Sequence, residues 1–157
     1  MKIPAESWDM IRAVRDGQQS QENVSRLLHK KPKTYDKFGE FLEAFVRDLN
    51  DMSEVGWSVL VEGPRDVRAL RRLGCVGNVA TVSSFERSGE TVFGEDKRVA
   101  ILTDLDREGA VLAAKYIKRL SHDGFKTSLR ERQRLKNASH GVFLHIENLS
   151  RFARSDE

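Results

Sequence analysis

Glu62 closes a short apolar run, Trp57-Ser58-Val59-Leu60-Val61, and is followed by Gly63-Pro64. Asp104, Asp106 and Glu108 follow a second run, Val99-Ala100-Ile101-Leu102-Thr103, and lead to Gly109. Side chains at i and i+2 of an extended segment point the same way, so Asp104 and Asp106 offer two carboxylates to one side. Two such charges with a glutamate nearby repel strongly unless a cation sits between them. Hard oxygen ligands of this kind suit Mg²⁺ or Mn²⁺, with water and substrate phosphate completing the octahedron. Glycines at 63 and 109 would let a phosphate or metal approach the backbone. The bland alternative is that Asp-x-Asp before a helix is an N-cap with acids favoured in the first turn.

Both acidic segments need strands to hold them. The runs at 57–61 and 99–103 read as buried strands, and Val79-Ala80-Thr81-Val82 as another. Phe125 to Leu129 reads as a fourth. Helical patterns alternate with them: Asp66 to Leu73 with Pro64 in the first turn, Ala110 to Leu120 stopped by Gly124, Arg130 to Lys136, and a short closing helix from Ile146 to Phe152. Residues 83–96 read as a loop or broken helix. Alternating strands and helices predict an α/β fold with a mainly parallel sheet. Continuous apolar strands predict that both faces are covered. In a parallel sheet Glu62 and the aspartates share the carboxyl edge, where open α/β sheets place their sites.

Before residue 56 the chain reads as a helical extension, giving segments 1–55 and 56–157. Residues 5–30 are weakly patterned helix, and Lys30-Lys31-Pro32-Lys33 is a basic connector. Thr34 is a candidate cap for a helix with Phe38, Phe41, Leu42, Phe45, Val46 and Leu49 on one face. That spacing favours core packing over stacking of the phenylalanines on bases.

The whole chain of 157 residues is long enough to bury a core without disulfides. Its single cysteine, Cys75, excludes intramolecular disulfides and Cys₄ or Cys₂His₂ zinc sites. No apolar run approaches the roughly 20 residues of a membrane span, and no signal peptide is visible. A cytoplasmic protein is expected. His29, His122, His140 and His145 show no mutual metal spacing and read as surface or capping residues.

Residues 59–70, Val-Leu-Val-Glu-Gly-Pro-Arg-Asp-Val-Arg-Ala-Leu, resemble the first motif of the Toprim domain. Residues 99–109, Val-Ala-Ile-Leu-Thr-Asp-Leu-Asp-Arg-Glu-Gly, resemble its Asp-x-Asp motif. The resemblance covers about residues 56–150. The whole chain resembles the small stand-alone Toprim proteins of archaea, related to the bacterial maturase of 5S ribosomal RNA. It implies a Rossmann-like four-stranded parallel sheet flanked by helices. It also implies Glu62 as general acid or base, with Asp104 and Asp106 as metal ligands. Glu62 and Glu108 are further candidates for the metal. Departures narrow the group. Ala110 stands where type IA topoisomerases usually carry another glutamate. The length leaves no room for a topoisomerase gate, the cysteine count none for the zinc modules of primase or RecR, and there is no P-loop.

The net charge of +3 hides an uneven distribution. Residues 115–136 carry eight basic against two acidic side chains, a local +6. Residues 26–37 carry a local +4. Arg65 and Arg107 adjoin the motif acids. Together with Lys118, Arg130, Arg132 and Arg134 they are the candidate phosphate contacts, against the alternative of an ordinary solvated surface. The expectation is a Mg²⁺- or Mn²⁺-dependent protein acting on nucleic-acid phosphodiesters, a nuclease or processor of RNA such as ribosomal RNA. RNA ranks ahead of DNA as partner, and no membrane is involved. The alternatives are a non-catalytic module binding RNA or the ribosome, and an adaptor whose helix at 34–52 docks a partner protein.

Overall fold

The two central strands of the sheet are buried on both sides, and their alternate side chains feed two different cores. The computed structural model describes residues 33–153. Helix α1 (Lys33–Glu54) leads into β1 (Trp57–Val61), α2 (Pro64–Arg72) and β2 (Val79–Thr81). Then come α3 (Val82–Ser88), a 3₁₀ turn (Gly89–Val92), β3 (Arg98–Ile101) and α4 (Arg107–His122). Strand β4 (Lys126–Ser128), α5 (Arg130–Ser139) and a closing 3₁₀ helix (Ile146–Phe152) complete the order. The sheet is ordered β2-β1-β3-β4 and every pair is parallel. This is the expected α/β, Rossmann-like architecture, with a helix preceding the sheet.

On one face, Val59, Val61 and Leu102 join a core with Phe38, Leu42, Phe45, Val46 and Leu49 of α1. Leu70 of α2, Leu135 of α5, and Ile146 and Leu149 of the closing turn complete that core. On the other, Leu60, Val99 and Ile101 pack with Phe85 of α3 and with Ala113, Tyr116 and Leu120 of α4. The pleat alone divides these neighbours. The apolar stripe of α1 is therefore spent on the sheet, and the adaptor reading loses its main support.

Several boundaries differ from the sequence reading. Helix α1 begins at Lys33, so Thr34 lies inside its first turn instead of capping it. The segment at 83–96, read as a loop or broken helix, is a broken helix in which α3 gives way to the 3₁₀ turn. Helix α3 is capped by Thr81, which accepts a hydrogen bond from Ser84 N–H at 3.1 Å. Its one buried side chain, Phe85, leaves no periodicity to read. The helices expected over 5–30 lie outside the described residues.

Chain direction across the sheet reverses between β1 and β3. From β1 the chain passes through α2 to β2 on one flank; from β3 it passes through α4 to β4 on the other. Loops leaving adjacent strands in opposite directions open a crevice at the carboxyl edge. Glu62 follows β1 and Asp104 lies just beyond β3, so both flank it.

Candidate functional site

The two strand ends are tied together by the acids themselves. Glu62 Oε1 accepts a hydrogen bond from Asp104 N–H at 3.0 Å. The turn after Asp104 is tight. Buried Thr103 donates its hydroxyl to Gly109 O at 2.7 Å, and a Cβ on Gly109 would overlap the Asp104 carbonyl. Gly109 is thus required by the turn itself. Gly63 has open space around its α-carbon. Asp106 caps α4, its Oδ1 accepting from Gly109 N–H at 2.7 Å. The capping and ligand readings of Asp106 are compatible, because the second oxygen remains turned to the site.

The segment before the closing 3₁₀ helix straps across this loop. Leu105 N–H donates to Leu144 O at 2.6 Å. Ile146 N–H donates to Asp104 Oδ1 at 2.9 Å, and His145 Nδ1 lies 3.2 Å from Asp104 Oδ2 and 3.8 Å from Asp106 Oδ2. One ligand atom from each of Asp104, Asp106 and His145 falls within 4.8 Å of the others. The sequence reading gave His145 a surface or capping role. Forty-one residues separate it from Asp104, and no local spacing signals the meeting.

Electrostatics follow from this crowding. Burial raises Glu62 above the usual carboxylate range; the Asp104 amide opposes this, and the charges of Asp104, Asp106 and Asp66 reinforce it. Asp66 is buried and is raised for the same reasons, burial first and then the Asp104 charge. For His145, burial lowers the imidazole, but the hydrogen bond to Asp104 and the surrounding carboxylates outweigh it, and the net shift is upward. Such a donor set fits a divalent cation. Two carboxylates suit Mg²⁺ or Mn²⁺, and the imidazole tilts the set toward the transition metal. Glu62 lies beside this triad rather than in it. Glu108 is exposed in the first turn of α4 and stands outside it.

The basic candidates separate into four places. Arg65, Arg107 and Arg130 are exposed at the starts of α2, α4 and α5, on the carboxyl edge. Arg65 Nη1 is 3.8 Å from Glu147 Oε2. Arg132 is only 6% exposed, and Nη2 donates to Asp104 O at 2.7 Å and Asp106 O at 3.5 Å. It is a strut beneath the Asp-x-Asp loop, and burial takes it off the surface where a polyanion would lie. Arg134 donates to Asp48 of α1 at 2.8 Å and lies over the rings of Phe41 and Phe45. Lys118 is exposed eleven residues along α4 from Arg107, about 16 Å from the edge.

No protein-family model matches the chain. Its sequence is similar to proteins of archaea. It is 36% identical over 117 residues to a UPF0292 protein of Methanosarcina barkeri, covering 73% of this chain and 82% of the relative. It is 33% identical over 117 residues to a UPF0292 protein of Methanosarcina acetivorans, covering 73% and 81%. Against a UPF0292 protein of Archaeoglobus fulgidus it is 30% identical over 112 residues, covering 71% and 88%. Among solved structures it is similar to a protein from Aquifex aeolicus, with a TM-score of 0.57 and 28% identity over 67% of this chain and 94% of that one. No helix among the described residues is long and apolar enough to cross a membrane.

Proposed function

The chain belongs to the UPF0292 family, and we propose that it is a Toprim protein that cleaves nucleic-acid phosphodiesters with Mg²⁺ or Mn²⁺. The observation that carries the reading is the convergence of Glu62, Asp104, Asp106 and His145 at the β1/β3 carboxyl edge. The motif resemblance at 59–70 and 99–109 supports it. Asp104, Asp106 and His145 would hold the cation, which when bound would polarise the scissile phosphate and stabilise the leaving oxygen.

The protein's own groups do the rest. Glu62 is anchored through Oε1 to the Asp104 amide, which leaves Oε2 to exchange a proton with the attacking water or leaving oxygen. Burial raises its pKa, the direction that lets the carboxyl hold a proton more readily. Arg132 and Gly109 keep the Asp-x-Asp loop in register. Arg65, Arg107 and Arg130 hold flanking phosphates at the rim.

The test is cleavage of single-stranded and structured RNA and of DNA, with either metal. Glu62→Gln keeps the acceptor for the Asp104 amide and should lose activity by about 100-fold or more. Asp104→Asn should lose both activity and Mn²⁺ binding, and His145→Ala should weaken Mn²⁺ binding measured by electron paramagnetic resonance. Equal cleavage by wild type, Glu62→Gln and Asp104→Asn would overturn the site. Tight, salt-sensitive RNA binding with no cleavage at all would replace it with a non-catalytic RNA-binding module.

A further inference from the structure

We propose that the cavity between the carboxyl end of α5 and the 141–145 strap binds an unpaired nucleobase, one nucleotide from the phosphodiester held at Asp104 and Asp106. This rests on the phosphodiester reading above and names the substrate class more narrowly. The cavity is about 490 Å³, within the ordinary range for small-ligand sites. Leu105 and Leu144 line it, with Lys136, Asn137, His140 and Gly141.

Its position is set by two pairs of chain neighbours. Leu105 stands between Asp104 and Asp106, and Leu144 immediately precedes His145. Leu105 and Leu144 are joined by their own backbone hydrogen bond at 2.6 Å. In each pair one residue lines the cavity while its neighbour serves the acidic triad. A strand with one phosphate at the carboxylates and its next nucleotide across this junction reaches both.

The lining matches that occupant. It contains no carboxylate, although Asp104 and Asp106 flank Leu105 in the chain. Lys136 is exposed on the rim and supplies a cation for the next phosphate. Asn137 Oδ1 accepts from Gln133 Nε2 at 2.9 Å, which leaves the amide N–H groups as donors for a base edge. Half-buried Leu144, backed by Leu105 at the edge of the core, provides an apolar wall for a ring face. A free inorganic anion would make no use of the leucines, and a lipid chain would need a longer apolar lining than two residues. A base inside a duplex cannot enter such a cavity without leaving its stack, so the substrate class is a single-stranded end, loop or bulge. His140 closes α5 at φ 48, where glycine is usual, and its side chain also lines the cavity.

The experiment uses the full chain carrying Glu62→Gln, so that RNA stays intact, with Mn²⁺ present. The probe is a short fluorescein-labelled single-stranded RNA, compared with the same strand annealed into a duplex. Asn137→Trp fills the cavity from an exposed helical position, and Lys136→Ala removes the rim cation. Each is expected to weaken single-strand binding by about tenfold, to leave duplex binding unchanged, and to leave Mn²⁺ binding unchanged. If both variants bind single-stranded RNA like the parent, the cavity proposal falls and the phosphodiester reading stands. Equal loss for single strand and duplex would also overturn it, since the contact would then be to backbone charge alone. If the parent binds neither Mn²⁺ nor RNA, both readings fall.

Discussion

Asp104 uses every polar atom it has. Its amide ties β1 to β3 through Glu62, its carbonyl takes Arg132, and its two carboxylate oxygens take Ile146 N–H and His145. A protonated His145 therefore supplies part of the positive charge this carboxylate cluster needs. The imidazole is raised in the folded chain, so its contribution to stability is whole below its ordinary value of 6.5 and is lost as pH rises through the folded value. In a chelator, wild type is expected to melt above His145→Ala at about pH 5.5, with the difference shrinking as pH rises above 6.5. A difference that is constant with pH would show that His145 acts by packing alone. Glu62 and Asp66 are also raised, so their contributions run the same way, whole below the ordinary carboxylate range and lost above it. In the sequence these residues were unequal in legibility. Glu62, Asp104 and Asp106 stand at the ends of apolar runs. His145 sits among Val142, Phe143, Leu144 and Ile146 with no ligand spacing.

At the scale of elements, the site is a junction of two strand ends, one helix start and one strap. The turn from β3 into α4 depends on Gly109, whose missing Cβ lets the Asp104 carbonyl approach. Gly109→Ala should cost about 2–3 kcal/mol in chemical denaturation, and should weaken Mn²⁺ binding because the displaced carbonyl is the acceptor of Arg132. Gly63→Ala makes the contrast. Nothing lies within 4 Å of the added methyl, and φ is −149, so the loss is only that of alanine for glycine at the N-cap of α2, about 0.5–1 kcal/mol. A sequence reading treats both glycines alike as places for a ligand to approach the backbone. Only the path of the chain shows that one of them is filled by the protein's own carbonyl. Equal stability losses for the two variants would contradict this account. Helix α5 teaches the same lesson. Its basic residues look alike in sequence, yet Arg130 faces water, Arg132 points under the acids and Arg134 is pinned to α1.

At the scale of the whole molecule, α1 is part of the core that carries the site. Phe45 is fully buried, and Phe45→Ala should destabilise the chain by about 3–5 kcal/mol, measured by urea unfolding; a loss under about 1 kcal/mol would mean that α1 packs loosely on the sheet. The α/β class, the main strands, the α1 stripe and the strand ends that carry acids are legible in the sequence. Those features are written in local periodicity and in continuous apolar runs, which any compact solution must bury. The order β2-β1-β3-β4 then makes neighbours of the strands bearing Glu62 and Asp104. Tertiary structure alone decided that His145 joins the aspartates, that Arg132 turns inward and that Leu144 and Leu105 open a cavity beside them. These contacts span 28 to 41 residues. They depend on which segments the two cores bring together, a global packing outcome that no short window of sequence contains.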